Sequence, residues 1–428
     1  MELYVHIPFC VKKCDYCDFL SFPTGCADTQ DYGPADEYVD SICRELGALS
    51  GLPDFSNEKK SEWLADTVFI GGGTPSVLSI GQMERILKCI DKLRSKKPGA
   101  EYTIETNPGT LNEEKLRLYK SYGINRLSIG LQSTENPRLK ALGRIHSFEQ
   151  FLDNYRLARR LGFENINIDL ISAIPGQTAA EWERTVRTVA ELEPEHISAY
   201  SLILEPGTAL FKRYEDNPLS LQLPDEDEER EMYHITARVL SEYGYKRYEI
   251  SNYAKPGFEC RHNLGYWQGE EYIACGQGAS SYLKTDRYKS YRKGFIMDEK
   301  CSEDVDKKIL YDTVNSDINA NSADYIRFSN TRLSAEYNGI MKGVKTVMVE
   351  ELLDREARMA EFCILGLRLV SGINISKFEQ KFTCSFDEKY GAIVRKYTAA
   401  GFMKNIGGNL CLTEKGFDVS NSIMTEFL

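Results

Sequence analysis

RLSIGLQSTENPRLKALGRIHSFEQFLDNYRLARRLGFENINIDLIS, at 126–172, contains one complete strand–helix–strand unit. RLSIGLQS (126–133) and INIDLIS (166–172) are short runs rich in β-branched and other apolar residues, which is typical of buried strands. The segment SFEQFLDNYRLARRLG between them has apolar residues at helical spacing. Two strands joined by a helical crossover of this length lie parallel in one sheet. The stretch therefore predicts an α/β fold built on parallel strands.

The same alternation of strand and helix occurs about six times in the first half of the chain. The other predicted strands are LYVHIP (3–8), TVFIGGG (67–73), YTIETNP (102–108) and HISAYSLIL (196–204), and the other predicted helices lie near 35–49, 80–95, 112–121 and 178–192. We interpret all six strands as apolar on both faces, as in a sheet covered by helices. Polar residues or glycines end several of these strands, where parallel barrels carry their sites. The pattern favours a parallel barrel over a doubly wound sheet.

The composition limits the classes of protein to consider. The chain has 428 residues, of which 42% are hydrophobic and 27% charged, as is usual for a globular protein of more than one domain. It contains 53 Lys and Arg against 64 Asp and Glu, and the net charge of −11 argues against a nucleic-acid partner. No apolar run approaches the ~20 residues of a membrane-spanning helix, and MELYVHIPFC does not resemble a secretory leader. We expect a soluble, cytoplasmic protein.

The second half of the chain departs from this alternation. We predict three domains: the barrel over 1–255, a segment over 256–345 that contains the motif HNLGYW and a connecting or inserted stretch, and a smaller α+β domain over 346–428. Within the second, residues 284–345 are polar and irregular in pattern. In the last domain we predict a long helix from Val349 onward, then further helices and a hairpin at Gly407 and Gly408. Helices followed by a tight hairpin resemble a winged helix. Because the chain is acidic, packing or partner binding is a better hypothesis for this domain than DNA binding.

Three of the twelve cysteines lie close together near the N-terminus. Cys10, Cys14 and Cys17 form C-x3-C-x2-C directly after the first predicted strand. Clustered thiolates in a reducing compartment suit an iron–sulfur cluster or zinc. A structural zinc site needs a fourth ligand, such as His6 or Cys26, whereas a cubane held by three cysteines leaves one iron open to a small molecule. The spacing favours the open cluster, with zinc as the alternative.

A set of motifs along the predicted barrel is similar to those of the radical S-adenosylmethionine (SAM) enzymes. The motifs are YVHIPFCVKKCDYC (4–17), GGGTPS (71–76), ETNP (105–108), SIGLQS (128–133), NIDLISAIPGQT (167–178) and LTEKGF (412–417). Their combination resembles the coproporphyrinogen-oxidase-like branch of this superfamily. The resemblance implies a partial (β/α)6 TIM-like barrel of the radical SAM type, with a [4Fe–4S] cluster and SAM as cofactors.

The resemblance also implies roles for individual residues. Cys10, Cys14 and Cys17 would hold the cluster, whose open iron binds the amino and carboxylate groups of SAM. The residues implied for SAM are Tyr4, Tyr16, Gly72, Gly73, Thr74, Glu105, Gln132, Arg144 and Asp169. Glycines allow close approach to the backbone, and a carboxylate such as Glu105 can accept hydrogen bonds from ribose hydroxyls. No residue is predicted as a catalytic acid or base.

Two functions of different classes are compatible with this branch. One is a heme chaperone that delivers heme to target proteins; the other is an oxygen-independent coproporphyrinogen III oxidase that decarboxylates propionates by radical chemistry. The oxidases carry a further cysteine two positions after the third ligand and an N-terminal extension before the motif. Here Phe19 takes that position, and only nine residues precede Cys10. Both departures favour the chaperone.

The motif HNLGYW at 262–267 also favours the chaperone. The resemblance implies that it binds heme through His262, Asn263, Tyr266 and Trp267, because imidazole is a common axial ligand of heme iron and aromatic rings stack on porphyrins. Heme-accepting proteins and an electron donor are the expected partners, with a homodimer and peripheral membrane contact as open alternatives. The segment at about 285–323 is longer than is usual in this branch and has no predicted role.

Overall fold

The computed structural model describes residues 1–24, 35–52, 64–301 and 323–428. Its central feature is a sheet in which six strands of the N-terminal half lie parallel, side by side and in sequence order. They are β1 (Glu2–Ile7), β2 (Thr67–Gly72), β3 (Glu101–Thr106), β4 (Arg126–Gln132), β5 (Ile166–Ser172) and β6 (His196–Ser201). The predicted α/β fold with a partial (β/α)6 barrel is confirmed.

Helices follow the strands and cover the outer face of the sheet. Ser79 and Ser147 start two of them with capping boxes, in which Gln82 and Gln150 return a hydrogen bond to the cap. The helices of this half are α1 (Ala35–Ser50), α2 (Ile80–Ile90), α3 (Glu113–Ser121), α4 (Asn136–Ala141), α5 (Phe148–Arg160), α6 (Ala179–Ala190), α7 (Ala209–Asp216) and α8 (Glu226–Glu242). The caps help to fix the loops at the carboxyl ends of the strands.

The two faces of the barrel strands differ in chemistry. Outward side chains such as Val5, Ile70 and Ile104 are apolar and fully buried under the helices. The inward side chains alternate with them, and those that line the interior are mostly polar: Tyr4, Phe69, Glu105, Arg126, Ser128, Asn167, Asp169, His196 and Ser198. The expectation of strands that are apolar on both faces is wrong, because the barrel encloses a polar interior.

After the barrel, the chain adds strands to both edges of the same sheet. β7 (Lys246–Arg247) and β8 (Asn252–Ala254) extend it beyond β6 by antiparallel pairing. Beyond β1 lie, in spatial order, β9 (Tyr272–Cys275), β10 (Ser280–Lys284), β12 (Tyr325–Asn330), β13 (Val344–Leu353) and β11 (Ile296–Cys301). The helices of this part are α9 (Arg261–Gln268), α10 (Thr285–Lys293) and α11 (Ser334–Tyr337).

The expectation of an irregular polar connection over 284–345 is wrong for the residues described there. They form strands and helices that pack on the main sheet, since Tyr288, Ile326 and Phe328 join the core cluster of the barrel. Residues 302–322, which make up most of the segment at about 285–323, lie outside the described residues. The boundaries of the three predicted domains stay predictions.

The C-terminal part forms an α+β unit with its own core. β13 pairs with β12 as far as Leu353, and α12 (Arg355–Leu367) begins after the capping side chain of Asp354, so the predicted long helix is present but starts later than Val349. The other elements are β14 (Ile373–Asn374), α13 (Ile375–Phe382), α14 (Phe386–Ala399), β15 (Met403–Ile406), β16 (Asn409–Leu412), α15 (Glu414–Asp418) and α16 (Ser420–Met424). Helices followed by the β15–β16 hairpin confirm the winged-helix-like prediction. Among the described helices, none is long and apolar enough to cross a bilayer.

Candidate functional site

The three cysteines of the N-terminal motif lie on the loop that follows β1, at the carboxyl end of the barrel. Asp15 fixes this loop, because its N–H donates to the Leu142 carbonyl at 3.1 Å and its carboxylate binds Arg213 at 2.7 Å. Gly143 has a φ of +75°, and a Cβ there would collide with Asp15. The loop therefore holds three partly buried free thiols at the strand ends: Cys10, Cys14 and Cys17.

Burial and mutual charge govern the chemistry of these thiols. Burial raises the pKa of Cys10, and it raises the pKa of Cys17 to about 11. The negative charge of a Cys14 thiolate raises both pKa values further. A bound cation or metal cluster would relieve this repulsion, because its positive charge stabilises the thiolates that coordinate it.

The zinc alternative requires a fourth ligand in addition to the three thiols. His6 already uses both ring nitrogens: Nε2 lies 2.8 Å from the Leu20 carbonyl and Nδ1 lies 3.1 Å from the Tyr4 hydroxyl. Cys26 lies outside the described residues. Within the described ranges, no group of three His, Cys, Asp or Glu side chains is placed around a single ion. The donor set of three thiols therefore fits an iron–sulfur cluster better than a closed zinc site.

A chain of hydrogen bonds joins two of the cysteines across the rim of the barrel. Arg144 Nη1 donates to Cys14 Sγ at 3.4 Å, and Nη2 donates to Asn107 Oδ1 at 2.7 Å. Asn107 Nδ2 donates to Thr74 Oγ1 at 2.7 Å, and Thr74 donates to Cys10 Sγ at 3.6 Å. The structure thus brings the predicted residues Arg144 and Thr74 to the cysteine loop. Sequence analysis missed Asn107 as a site residue, although its place in ETNP at a strand end was a usable signal.

The glycines at the end of β2 are required by packing within the protein. Gly72 has a φ of +112°, and a Cβ there would lie 2.5 Å from the His6 ring. A Cβ on Gly73 would lie 2.7 Å from the Phe9 carbonyl oxygen. Both residues therefore allow the end of β2 to pack against the start of the cysteine loop, and contact of these glycines with SAM stays a prediction.

Two carboxyl groups face the barrel interior below this loop. Glu105 accepts a hydrogen bond from the Gly72 N–H at 3.0 Å, and burial together with the charge of Asp169 raises the pKa of Glu105 to about 8. Asp169 accepts hydrogen bonds from Ser128 Oγ at 3.0 Å and Asn167 Nδ2 at 2.8 Å, and burial raises its pKa as well. Glu105 is thus mostly protonated at neutral pH and can donate as well as accept a hydrogen bond.

The other residues predicted for SAM lie at different depths. Gln132 ends β4 with a φ of +74°, the kind of backbone strain that concentrates at functional sites. Tyr16 packs against Leu142 beside the cysteine loop. Tyr4 lies deeper, where it lines the barrel interior together with Tyr266. Tyr16 therefore lies beside the cysteines, whereas the side chain of Tyr4 lies beside the HNLGYW motif.

The HNLGYW motif forms most of α9, which closes the amino-terminal end of the barrel. Glu101 holds the start of this helix, because its carboxylate accepts the N–H groups of Arg261 at 2.9 Å and His262 at 3.0 Å. His262 Nδ1 lies 2.8 Å from the Thr67 hydroxyl, and Nε2 lies 3.0 Å from the Tyr266 hydroxyl. Burial lowers the pKa of His262 to about 3, so the ring is neutral. As both nitrogens are hydrogen-bonded, His262 presents no free nitrogen to a metal.

A cavity of about 460 Å³, here called the aromatic cavity, lies beside α9 between the barrel and α12. Its main lining residues are Tyr4, Tyr266, Trp267, Tyr272, Tyr282, Arg327 and Leu365. Trp267 packs under Arg368 at 4.4 Å, and its Nε1 is buried without a hydrogen-bond partner among the described residues. Tyr266 also lines a second cavity of about 150 Å³ inside the barrel, here called the interior chamber, with His262 and Asn263. Of the four residues predicted for heme, only Tyr266 and Trp267 reach the aromatic cavity.

Glu2, at the amino-terminal end of the barrel, gives a prediction for stability. It is 6% exposed, and burial raises its pKa from 4.5 to about 9. Folding therefore makes Glu2 take up a proton between these pH values, and the stability that this proton contributes is lost as the pH rises from the unfolded to the folded pKa. We expect Glu2→Gln to raise the melting temperature relative to the wild type by about 3 °C at pH 9 and to change it little at pH 5, measured by calorimetry. A larger gain in melting temperature at pH 5 than at pH 9 would contradict a raised pKa of Glu2.

Comparison with known proteins identifies the family. Residues 4–189 match the Radical SAM superfamily, and residues 353–419 match the HemN C-terminal domain. Heme chaperone HemW of Lactococcus lactis is 35% identical over 426 residues, which cover 99% of this chain and 96% of that protein. The chain belongs to the HemW family. Heme chaperone HemW of Bacillus subtilis is 32% identical over 429 residues, with 99% and 98% coverage.

A solved structure has a fold similar to that of this HemW-family chain. Coproporphyrinogen III oxidase (HemN) from Escherichia coli matches with a TM-score of 0.74, covering 100% of this chain and 89% of that chain at 21% identity. At this identity the similarity establishes the fold alone. The resemblance to the coproporphyrinogen-oxidase-like branch of the radical SAM superfamily is confirmed, and membership implies a [4Fe–4S] cluster and SAM as cofactors.

Proposed function

We propose that this chain is a heme chaperone, which binds heme and passes it to acceptor proteins. The observation that carries the proposal is the similarity to HemW proteins over nearly the full length of both chains. Phe19, in place of the additional cysteine of the oxidases, supports the chaperone over a coproporphyrinogen oxidase. The acceptor, the electron donor, a homodimer and a cytoplasmic location stay predictions.

The cluster and SAM belong, in this proposal, at the carboxyl end of the barrel. Cys10, Cys14 and Cys17 would hold the cluster, which when bound supplies one-electron chemistry at the SAM sulfonium. Arg144 supports the thiolates with a nearby positive charge. The residues proposed to bind SAM are Tyr16, Gly72, Gly73, Thr74, Glu105, Gln132 and Asp169, with Tyr4 farther from the loop. Asn107 positions Thr74 and Arg144 for these roles.

The aromatic cavity is the proposed seat of heme. Its volume falls in the range of small-molecule sites, and the rings of Tyr266, Trp267 and Tyr282 offer faces on which a porphyrin can stack. A tyrosine hydroxyl is an established ligand of heme iron. His262 reaches this cavity only if its hydrogen bond to Tyr266 breaks. We therefore propose Tyr266 as the residue that faces the iron and His262 as its hydrogen-bond partner.

Filling the aromatic cavity tests the proposed seat. Leu365 lines the cavity and is partly exposed, so Leu365→Trp would occupy volume without removing a polar group. We expect heme to bind at least ~10-fold more weakly to this variant in an absorbance titration, since 1.4 kcal/mol of lost packing has that effect. Leu365→Met, which nearly conserves volume, is the matched control.

Circular dichroism melting separates loss of the site from loss of the fold. If the folded Leu365→Trp variant binds heme as tightly as the wild type, heme does not bind in the aromatic cavity. Absence of heme binding by the wild-type chain would reject the chaperone proposal itself.

A further inference from the structure

The interior chamber contains a buried arginine that the proposed function does not use. Arg126 starts β4 and lines the chamber, and it is 2% exposed. Its Nε has no hydrogen-bond partner, and none of the salt bridges between described residues includes it. Burying a charge without a close counter-ion costs several kcal/mol. An occupant that brings a negative charge to the guanidinium would recover much of that cost.

The carboxyl groups around Arg126 are engaged with other partners. Glu101 uses both oxygens to hold the start of α9. Asp169 accepts two side-chain hydrogen bonds, and Glu105 accepts one from the end of β2. These groups influence Arg126 only through their charge at a distance, and the pKa of Glu105 near 8 makes that group mostly neutral. The chamber therefore contains one guanidinium without a direct ion-pair partner among the described residues.

Thr103 supplies a second unpaired polar group at the same depth. It is the register partner of Arg126 on the neighbouring strand, so both side chains lie on the inner face of the sheet. Its hydroxyl is fully buried and has no hydrogen-bond partner among the described residues. Thr103 is not among the residues that line the chamber, so Arg126 is the cationic donor that an occupant would meet there.

The size and charge of the chamber select among anions. Its volume of about 150 Å³ equals that of about five water molecules at ~30 Å³ each, which is enough for the atoms of a propionate group. A planar carboxylate pairs with a guanidinium through two hydrogen bonds. A phosphate dianion would instead bring a second negative charge next to Asp169. The chamber therefore fits a singly charged carboxylate best.

We propose that the interior chamber binds one carboxylate group, which accepts hydrogen bonds from the guanidinium of Arg126. The carboxylate belongs either to a free small acid or to the propionate arm of a tetrapyrrole. Binding requires neither heme iron nor the cluster, so the proposal stands apart from the chaperone function.

Thermal unfolding of the full chain with sodium propionate tests the site. We expect the wild-type melting temperature to rise saturably by about 2–4 °C with propionate, and not with the neutral isostere propionamide or with sodium chloride at equal ionic strength. Arg126→Met loses this rise, and Arg126→Lys retains part of it. The proposal is overturned by an equal rise with propionamide, by no rise in the wild type, or by a full rise in Arg126→Met. Should Arg126→Met not fold, Arg126→Gln decides in the same way: an undiminished rise in melting temperature overturns the proposal.

A porphyrin titration distinguishes the two sources of the carboxylate. Protoporphyrin IX and its dimethyl ester are titrated into the wild type and Arg126→Met. If the free acid binds at least ~10-fold more weakly to the variant while the ester does not distinguish the two proteins, the carboxylate is a porphyrin arm. If neither porphyrin distinguishes them while the propionate rise is lost, the occupant is a free small acid.

Discussion

Cys14→Ala is expected to bind less than about a tenth of the wild-type iron and sulfide after anaerobic reconstitution, because a three-thiol cluster cannot lose one ligand and remain stable. Cys14 is also the sulfur that accepts the hydrogen bond from Arg144, so its loss breaks the connection that crosses the rim to Cys10. Iron and sulfide analysis together with the absorbance of the cluster measure the effect.

Cys43→Ala is the matched control for this experiment. Cys43 is a partly buried free thiol on α1, outside the cysteine loop. We expect this variant to take up the wild-type amount of iron and sulfide. Full cluster content in Cys14→Ala, or zinc without sulfide in oxygen-protected wild-type protein, would contradict a cluster held by these three cysteines.

Tyr266→Phe is expected to weaken heme binding by at least ~10-fold and to change the spectrum of ferric heme, because it removes the proposed oxygen ligand but keeps the ring. His262→Ala removes only the hydrogen-bond partner of that hydroxyl, so a smaller loss of affinity and an unchanged ligand type are expected. Absorbance and electron paramagnetic resonance spectra of the heme complexes distinguish oxygen from nitrogen ligation.

The opposite result would favour the prediction from the sequence, in which His262 is the axial ligand of heme. If Tyr266→Phe keeps the wild-type spectrum and His262→Ala loses a nitrogen ligand, His262 is the axial ligand. Heme binding would then have to break the hydrogen bond between His262 and Tyr266. The rings of His262 and Tyr266 are in contact, so the two variants report on one pair of residues.

Much of the fold is predictable from the order of apolar runs along the chain. The six parallel strands follow from this order, since helical crossovers require parallel pairing. The polar interior was missed because runs such as RLSIGLQ look apolar as a whole, although Arg126 and Ser128 alternate with the buried Leu127 and Ile129. Helix propensity also gave a wrong helix start at EELLDREA, because pairing with β12 keeps the residues up to Leu353 in a strand.

The residues of the candidate site were predictable where they belong to a motif of the family. The resemblance implies Thr74 and Arg144 as SAM contacts, and the structure brings both side chains to the cysteine loop. Their contact with SAM stays a prediction. Asn107 was not expected as a site residue, because only the folded rim shows that it joins these two side chains. The burial of His262 behind Tyr266 also depends on how α9 closes the barrel, which the motif alone does not specify.

The most direct test of the chaperone assignment uses one cluster-loaded sample of the full chain with SAM, divided between two assays. The first measures heme retained after gel filtration, and the second measures decarboxylation of coproporphyrinogen III in the presence of a reductant. We predict stoichiometric heme retention and no decarboxylation. Turnover of coproporphyrinogen III by protein that retains no heme would contradict a chaperone and identify an oxidase instead.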